Sequence, residues 1–211
     1  MKNKRVLTAV LLCAAAVVFT LLVKFVGVEA VGPLGSEVGF GKLNAAVFEV
    51  IGEHKLFDLL SEIPLFAAII CAAVFALRGA VQLYRRRSLA KVETKLIQLG
   101  FIFLAVIVTY ILFEHVIINY RPVTPDGVLE ASYPSSHTMI AMSVLGSSAL
   151  YLQAHRKYNR TMAAAMWTGT VLAPVLRLFS GQHWLTDIIG GCLFSLAFIA
   201  LYRALIAGDR S

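Results

Sequence analysis

The sequence predicts an all-α, polytopic membrane protein with six transmembrane helices. Of its 211 residues, 59% are hydrophobic and only 15% are charged, and the mean hydropathy is +0.79. Soluble domains carry nearer a quarter of charged residues. The apolar residues also form runs close to the roughly 20 residues that a helix needs to cross a bilayer. We expect a single integral-membrane domain over residues 1–211.

The runs place the six spans at residues 6–26, 59–83, 96–118, 138–153, 161–179 and 184–206. The fourth is short and interrupted by serines. The first begins like a signal peptide, but its apolar stretch exceeds the roughly 7 to 15 residues of such a segment, so we expect an uncleaved helix. Residues 32–57 leave two interpretations open, a packed loop or an amphipathic helix on the outer interface.

The positive charges predict the orientation of these spans. Fourteen of the 19 Lys and Arg residues fall in four segments, at residues 2–5, 78–95, 155–160 and 203–211. Loops rich in Lys and Arg stay in the cytoplasm. We therefore expect a multi-pass protein of the cytoplasmic membrane with both termini in the cytoplasm. A nucleic-acid partner is not expected, because no basic stripe with interleaved aromatic residues explains the net charge of +7.

Five ionisable residues then collect at the extracytoplasmic ends of helices three to six: Arg121, His137, Arg177, His183 and Asp187. Such residues in an apolar chain indicate a functional site. On a helix, His183 and Asp187 would share one face. The carboxylate would then hold the ring in one tautomer and leave the other nitrogen as a nucleophile or base. Because arginine suits phosphate, the set predicts chemistry on a phosphate ester.

Each of these residues also has a simpler explanation. Arg121 precedes a proline at the end of the third span and fits an interfacial anchor. His137 follows a helix start, which is an anion site by itself, and equally fits an interfacial histidine. Arg177 closes the fifth span and His183 opens the sixth, so they fit a buried polar pair that ties two helices together. Convergence of all five at one membrane depth favours a site.

Three motifs in order carry a family resemblance: Arg121-Pro122, then Pro134-Ser135-Ser136-His137, then Arg177, five residues, His183, three residues, Asp187. This pattern resembles the type 2 phosphatidic acid phosphatase and vanadium-haloperoxidase superfamily, in its membrane lipid phosphatase branch. The resemblance covers residues 114–187 by motif. Three positions depart from it: Glu114 stands for a lysine, Ser136 for a glycine and Leu176 for a serine.

The resemblance implies a role for each matched residue. His183 would attack phosphorus, Asp187 would orient it, and His137 would protonate the departing oxygen. The phosphoryl oxygens would be held by Arg121, Arg177, Ser135 and Ser136. Glu114, which departs from the pattern, could face away, pair with Arg121 or contact a different group of the substrate, and we expect it to alter substrate preference. Neither a metal nor another cofactor is implied.

The expected function is hydrolysis of a lipid phosphate or diphosphate through a phosphohistidine, with the substrate's chain left in the bilayer. Undecaprenyl diphosphate, phosphatidylglycerophosphate and phosphatidate all fit. Two alternatives stay open: a lipid phosphotransferase that uses the same intermediate, and a non-catalytic lipid-binding relative.

Overall fold

The computed structural model describes residues 2–124, 126–155 and 159–208, and it is helical throughout with no sheet in this part of the chain. The helices are α1 Lys2–Phe25, α2 Gly41–Ile51, α3 Lys55–Arg86, α4 Thr94–His115, α5 Ser136–Gln153, α6 Arg160–Phe179 and α7 Leu185–Gly208. The all-α prediction is confirmed. Within the segments predicted to be cytoplasmic, residues 156–158 and 209–211 lie outside the described residues.

Within the described ranges, five helices are long and apolar enough to cross a membrane: Asn3–Phe25, Lys55–Arg86, Thr94–His115, Arg160–Phe179 and Leu185–Gly208. They correspond to every predicted span except the fourth, which forms α5, so six spans are not confirmed. Three serines, Ser143, Ser147 and Ser148, make α5 less apolar than the others. Most of α5 is buried by α3, α4, α6 and α7. It is the central helix of the bundle.

The helix ends meet in an alternating pattern. Arg177 in the last turn of α6 pairs with Asp58 in the first turn of α3. At the other end, Tyr151 in the last turn of α5 donates to Glu93, which immediately precedes α4. One end of the bundle therefore gathers the starts of α3, α5 and α7 and the ends of α4 and α6. We call it the site end, because every predicted site residue lies there.

Residues 32–57 contain a helix rather than only a loop, and that helix packs on the start of α7. Asn44 is fully buried on α2, whereas Val50 is 86% exposed. Phe48 meets Trp184 edge to face, with ring centroids 5.6 Å apart. Of the two interpretations left open, the helix is present and packed against the bundle, beside the residues described next. Its position on the outer interface stays a prediction.

Candidate active site

His183 lies in the turn between α6 and α7. The spacing of His183 and Asp187 predicts that they share one face of a helix. This prediction is wrong, because α7 begins at Leu185 and His183 lies before it. The backbone N–H of Trp184 donates to Asp187 Oδ2 at 3.0 Å. This is one half of a capping box, so α7 begins only after His183. The two side chains still approach, with 3.9 Å between His183 Nδ1 and Asp187 Oδ2.

A serine that sequence reasoning missed bridges these two residues. Ser132 Oγ donates to Asp187 Oδ2 at 2.5 Å and lies 3.0 Å from His183 Nδ1. A hydroxyl has one hydrogen, and Ser132 gives it to the carboxylate, so its oxygen accepts from His183 Nδ1–H. The ring hydrogen is therefore held on Nδ1, and the lone pair is on Nε2.

Two buried asparagines, also missed, hold Asp187 and the start of α7. Asn119 Nδ2 donates to Asp187 Oδ1 at 3.0 Å. Asn44 Oδ1 on α2 accepts from the backbone N–H of Thr186 at 3.2 Å. With Ser132 and the Trp184 N–H, the Asp187 carboxylate accepts from three donors, which fix its position.

The turn that carries His183 is packed closely against the connection between α2 and α3. Gly181 has φ +72°, and a Cβ there would lie 2.1 Å from the carbonyl oxygen of Gly52. The His54 N–H donates to the Ser180 carbonyl at 3.1 Å. Only glycine combines this backbone angle with this close approach. The α2–α3 connection thus sets the position of His183.

The two predicted arginines each lie beside a carboxylate. Arg177 is 3% exposed, and its Nη1 donates to Asp58 Oδ1 at 2.6 Å and to Ser61 Oγ at 3.2 Å. Arg121 Nε lies 3.2 Å from Glu130 Oε2, in a geometry that forms no hydrogen bond. Glu114 is therefore not the ion-pair partner of Arg121.

His137, the second residue of α5, meets a carboxylate from α3. Its Nε2 lies 2.8 Å from Glu62 Oε1, and its buried Nδ1 contacts no hydrogen-bond partner. Burial and the positive charge of Arg177 lower the pKa of His137, and contact with Glu62 opposes that shift. The second predicted span begins at residue 59, which leaves out Asp58 and includes Glu62, whereas α3 begins at Lys55 and carries both carboxylates. No sequence pattern connected either residue with the site.

The serines at the start of α5 have different positions. Ser135 Oγ donates to Thr138 Oγ1 at 3.1 Å and caps α5, so its hydroxyl is engaged within the helix start. Ser136 opens the helix without a positive φ, so replacing glycine there causes no strain. Ser136, Glu114 and His183 line one narrow cavity of about 10 Å³. Glu114 therefore borders the site instead of facing away from it.

The positive residues lie close enough to act on His183 through their charge. Burial lowers its pKa well below the usual value, and the charges of Arg177, Arg121 and His137 lower it further. The ring is thereby kept neutral, which is the form that can attack an electrophile. A phosphate group brought to these cations would meet the neutral Nε2 of His183.

Four buried polar atoms of the predicted site have no hydrogen-bond partner in the part of the chain that the structure describes: Arg121 Nε, His137 Nδ1, Arg177 Nε and His183 Nε2. Buried polar atoms are normally paired, and exceptions need an explanation. Two N–H donors, a nucleophilic nitrogen and a second imidazole suit a phosphoryl group. The structure thus brings together Arg121, His137, Arg177, His183 and Asp187, as the motifs predict.

The described ranges contain no cluster of side chains suited to bind a metal ion. Across residues 2–124, 126–155 and 159–208, no group of three or more His, Cys, Asp or Glu residues is arranged to hold a metal ion. A metal-independent reaction stays a prediction that a chelator can test.

The chain is similar to one protein family and to a solved membrane protein. The family model of the PAP2 superfamily matches residues 113–210. The chain is also similar to the crystal structure of a transmembrane PAP2-type phosphatidylglycerolphosphate phosphatase from Bacillus subtilis, with a TM-score of 0.59 and 18% identity over 96% of this chain and 95% of that chain. At that identity the likeness shows the fold. No curated protein matches the chain. The matched residues 113–210 contain every predicted site residue.

Proposed function

We propose that this protein is a metal-independent membrane phosphatase that hydrolyses a lipid phosphate or diphosphate through a phosphohistidine. The observation that carries the proposal is the state of His183. Its Nε2 is buried without a partner, while its Nδ1 is held by Ser132 and through it by Asp187. A ring of fixed tautomer with a free lone pair is an activated nucleophile.

The reaction has two balanced steps. In the first, His183 Nε2 bonds to phosphorus, the bond from phosphorus to the lipid oxygen breaks, and that oxygen takes a proton from His137. In the second, water attacks the phosphohistidine, His137 takes a proton from the water, and the nitrogen–phosphorus bond breaks to release phosphate. Positive charge around the phosphoryl oxygens lowers both barriers.

The phosphoryl oxygens would bind to Arg121, Arg177 and the backbone N–H groups at the start of α5, including that of Ser136. Ser135 would add its hydroxyl by leaving the helix cap. Arg177 would exchange part of its contact with Asp58 for phosphate.

We also propose the membrane arrangement that the positive charges predict. The 18 residues of α5 extend about 27 Å, close to the thickness of the hydrocarbon core, so α5 would be the sixth crossing. The site end would face the extracytoplasmic side of the cytoplasmic membrane, both termini would be cytoplasmic, and residues 1–211 would form one domain.

The substrate proposal starts from the name of the similar crystal structure, a phosphatidylglycerolphosphate phosphatase. That lipid is our first candidate, and undecaprenyl diphosphate and phosphatidate remain compatible with a site that binds a phosphoryl group at a membrane surface. A phosphotransferase would use the same first step but deliver the phosphoryl group to another hydroxyl.

Phosphate release in EDTA tests the proposal. The purified protein in detergent is given each of the three lipids beside His183→Ala. We expect release from at least one lipid, with loss of about 10³-fold or more in the variant, because the nucleophile is gone. Release that stops in EDTA and returns with magnesium would exclude the metal-independent mechanism. A phosphorylated acceptor without free phosphate would indicate the transferase, and equal lipid binding with no turnover by either protein would indicate a non-catalytic relative.

A further inference from the structure

We propose that Glu62, a residue with no assigned role, is a positioning residue that orients His137 and keeps it in its acid form. The inference rests on the proposed function, since it concerns the proton that the leaving lipid oxygen receives. Among the described residues, the direct contact of Glu62 at the site is with His137, and its negative charge also acts on Arg177.

The geometry is that of a carboxylate–imidazole dyad. Glu62 Oε1 lies 2.8 Å from His137 Nε2, across the contact between α3 and α5. The other ring nitrogen, Nδ1, is buried and has no partner. A carboxylate on one nitrogen fixes the ring plane and directs the opposite nitrogen. Here it leaves Nδ1–H free to be given to the leaving oxygen.

The surroundings of His137 make such a carboxylate necessary. The positive charges of Arg177 on α6 and Arg121 in the loop before α5 disfavour a protonated ring, and so does burial. The neutral ring of His183, in the turn before α7, is close enough to respond to the charge of His137. A general acid must nevertheless hold its proton before the leaving group departs. Glu62 is the carboxylate in direct contact with His137, and it offsets the neighbouring positive charge.

The neighbouring carboxylate of α3 has a different contact. Asp58 lies one turn before Glu62 and binds Arg177, with 2.6 Å between Arg177 Nη1 and Asp58 Oδ1. Arg177 is predicted to bind the phosphoryl group, whereas His137 acts on the leaving oxygen. Substituting Asp58 is therefore a matched control that removes one carboxylate from the same helix face without touching the dyad.

The test compares two substrates with Glu62→Gln, which keeps the shape and removes the charge. The leaving group of phosphatidylglycerophosphate is an alkoxide that needs a proton. The leaving group of p-nitrophenyl phosphate is p-nitrophenolate, which is stable without one. We expect kcat/KM for the lipid to fall about tenfold to hundredfold, and kcat/KM for p-nitrophenyl phosphate to stay within about twofold. The ratio kcat/KM reports the step in which the leaving group departs and excludes the later hydrolysis of the phosphohistidine, which both substrates share. The alkaline limb of kcat/KM for the lipid should move to lower pH, because the acid form of His137 is lost sooner.

Three comparisons decide the outcome. In a protein that already carries His137→Ala, Glu62→Gln should lower lipid turnover little further, because both substitutions disable the same Glu62–His137 dyad. Asp58→Asn should change the kinetics of both substrates by a similar factor, mainly through KM. Equal loss for both substrates in Glu62→Gln, or an unmoved alkaline limb, would overturn the positioning role. Thermal unfolding of each variant identifies one that fails to fold, and Glu62→Asp, which restores the charge, should then recover part of the lipid turnover.

Failure of this inference is distinguishable from failure of the proposed function. If Glu62→Gln behaves like wild type while His183→Ala is inactive, the phosphatase stands and the dyad does not. If wild type releases no phosphate from the lipid or from p-nitrophenyl phosphate, the proposed function fails, and the inference fails with it.

Discussion

Replacing Ser132 with alanine removes the bridge between His183 and Asp187 and leaves both residues in place. The remaining gap of 3.9 Å between His183 Nδ1 and Asp187 Oδ2 exceeds the 2.7–3.2 Å of an N–H···O hydrogen bond. An unpaired buried N–H costs about 1–3 kcal/mol. The proton would then favour Nε2, which blocks attack. Since 1.36 kcal/mol is tenfold in rate, kcat should fall about 5-fold to 150-fold.

KM should change little in Ser132→Ala, because the hydroxyl is engaged with Asp187 and is not a predicted phosphate ligand. The assay is the initial rate of phosphate release against lipid concentration in EDTA. Ser195→Ala is the matched control: Ser195 is fully buried on α7 and donates to the Met139 and Gly191 carbonyls, so its loss tests a missing buried hydroxyl away from the site. Turnover by Ser132→Ala within twofold of wild type, or a rise in KM alone, would refute the bridge.

Three further predictions follow from the site. Glu114→Lys should raise phosphatidate hydrolysis about twofold to fivefold, the scale of an exposed charge interaction, because Glu114 borders the cavity of His183. Gly181→Ala should lower both Tm and kcat, since its Cβ would lie 2.1 Å from the Gly52 carbonyl at φ +72°; the backbone strain alone costs about 1–3 kcal/mol. The acid limb of kcat/KM that belongs to His183 should lie below pH 6.5, because burial and neighbouring cations lower its pKa and it attacks only when neutral.

Each of these predictions has its own check. Unchanged phosphatidate hydrolysis in Glu114→Lys would mean that this side chain does not act on the substrate. Gly35→Ala is the control for Gly181→Ala. Gly35 has a similar φ of +74°, and no atom lies within 4 Å of an added Cβ. This variant therefore measures backbone strain without the clash, and its activity should be unchanged. For the pH profile of the wild-type protein, an acid limb of kcat/KM centred at or above pH 6.5 would contradict a depressed pKa for His183.

Much of the fold could be predicted because the bilayer constrains helix length. Five of the six spans correspond to helices that satisfy the same length and hydropathy criteria in the structure. α5 is the exception for a physical reason. Its serines are small enough for close helix packing, and a helix surrounded by other helices does not need the apolar surface that lipid demands. Hydropathy therefore describes it poorly.

For predicting the contacts of the site, the residue at which a helix begins mattered more than the number of helices. The prediction started the second span at residue 59, where the apolar run begins. The helix begins at Lys55, and the added turn carries Asp58 to Arg177. Glu62 fell inside the predicted span, but nothing in its spacing connects it with His137, which is 75 residues away in the chain. A polar residue in an apolar run was the available signal.

The sequence by itself predicted the site residues, because fixed spacing within three motifs places Arg121, His137, Arg177, His183 and Asp187 at ends of neighbouring helices. What it misplaced was local: the carboxylate of Asp187 caps α7, so His183 falls outside the helix. Only the tertiary structure decided how these residues are held. Their partners Ser132, Asn119 and Glu62 come from segments 51 to 75 residues away in sequence. Such contacts form only when the helices pack, and so no local pattern records them.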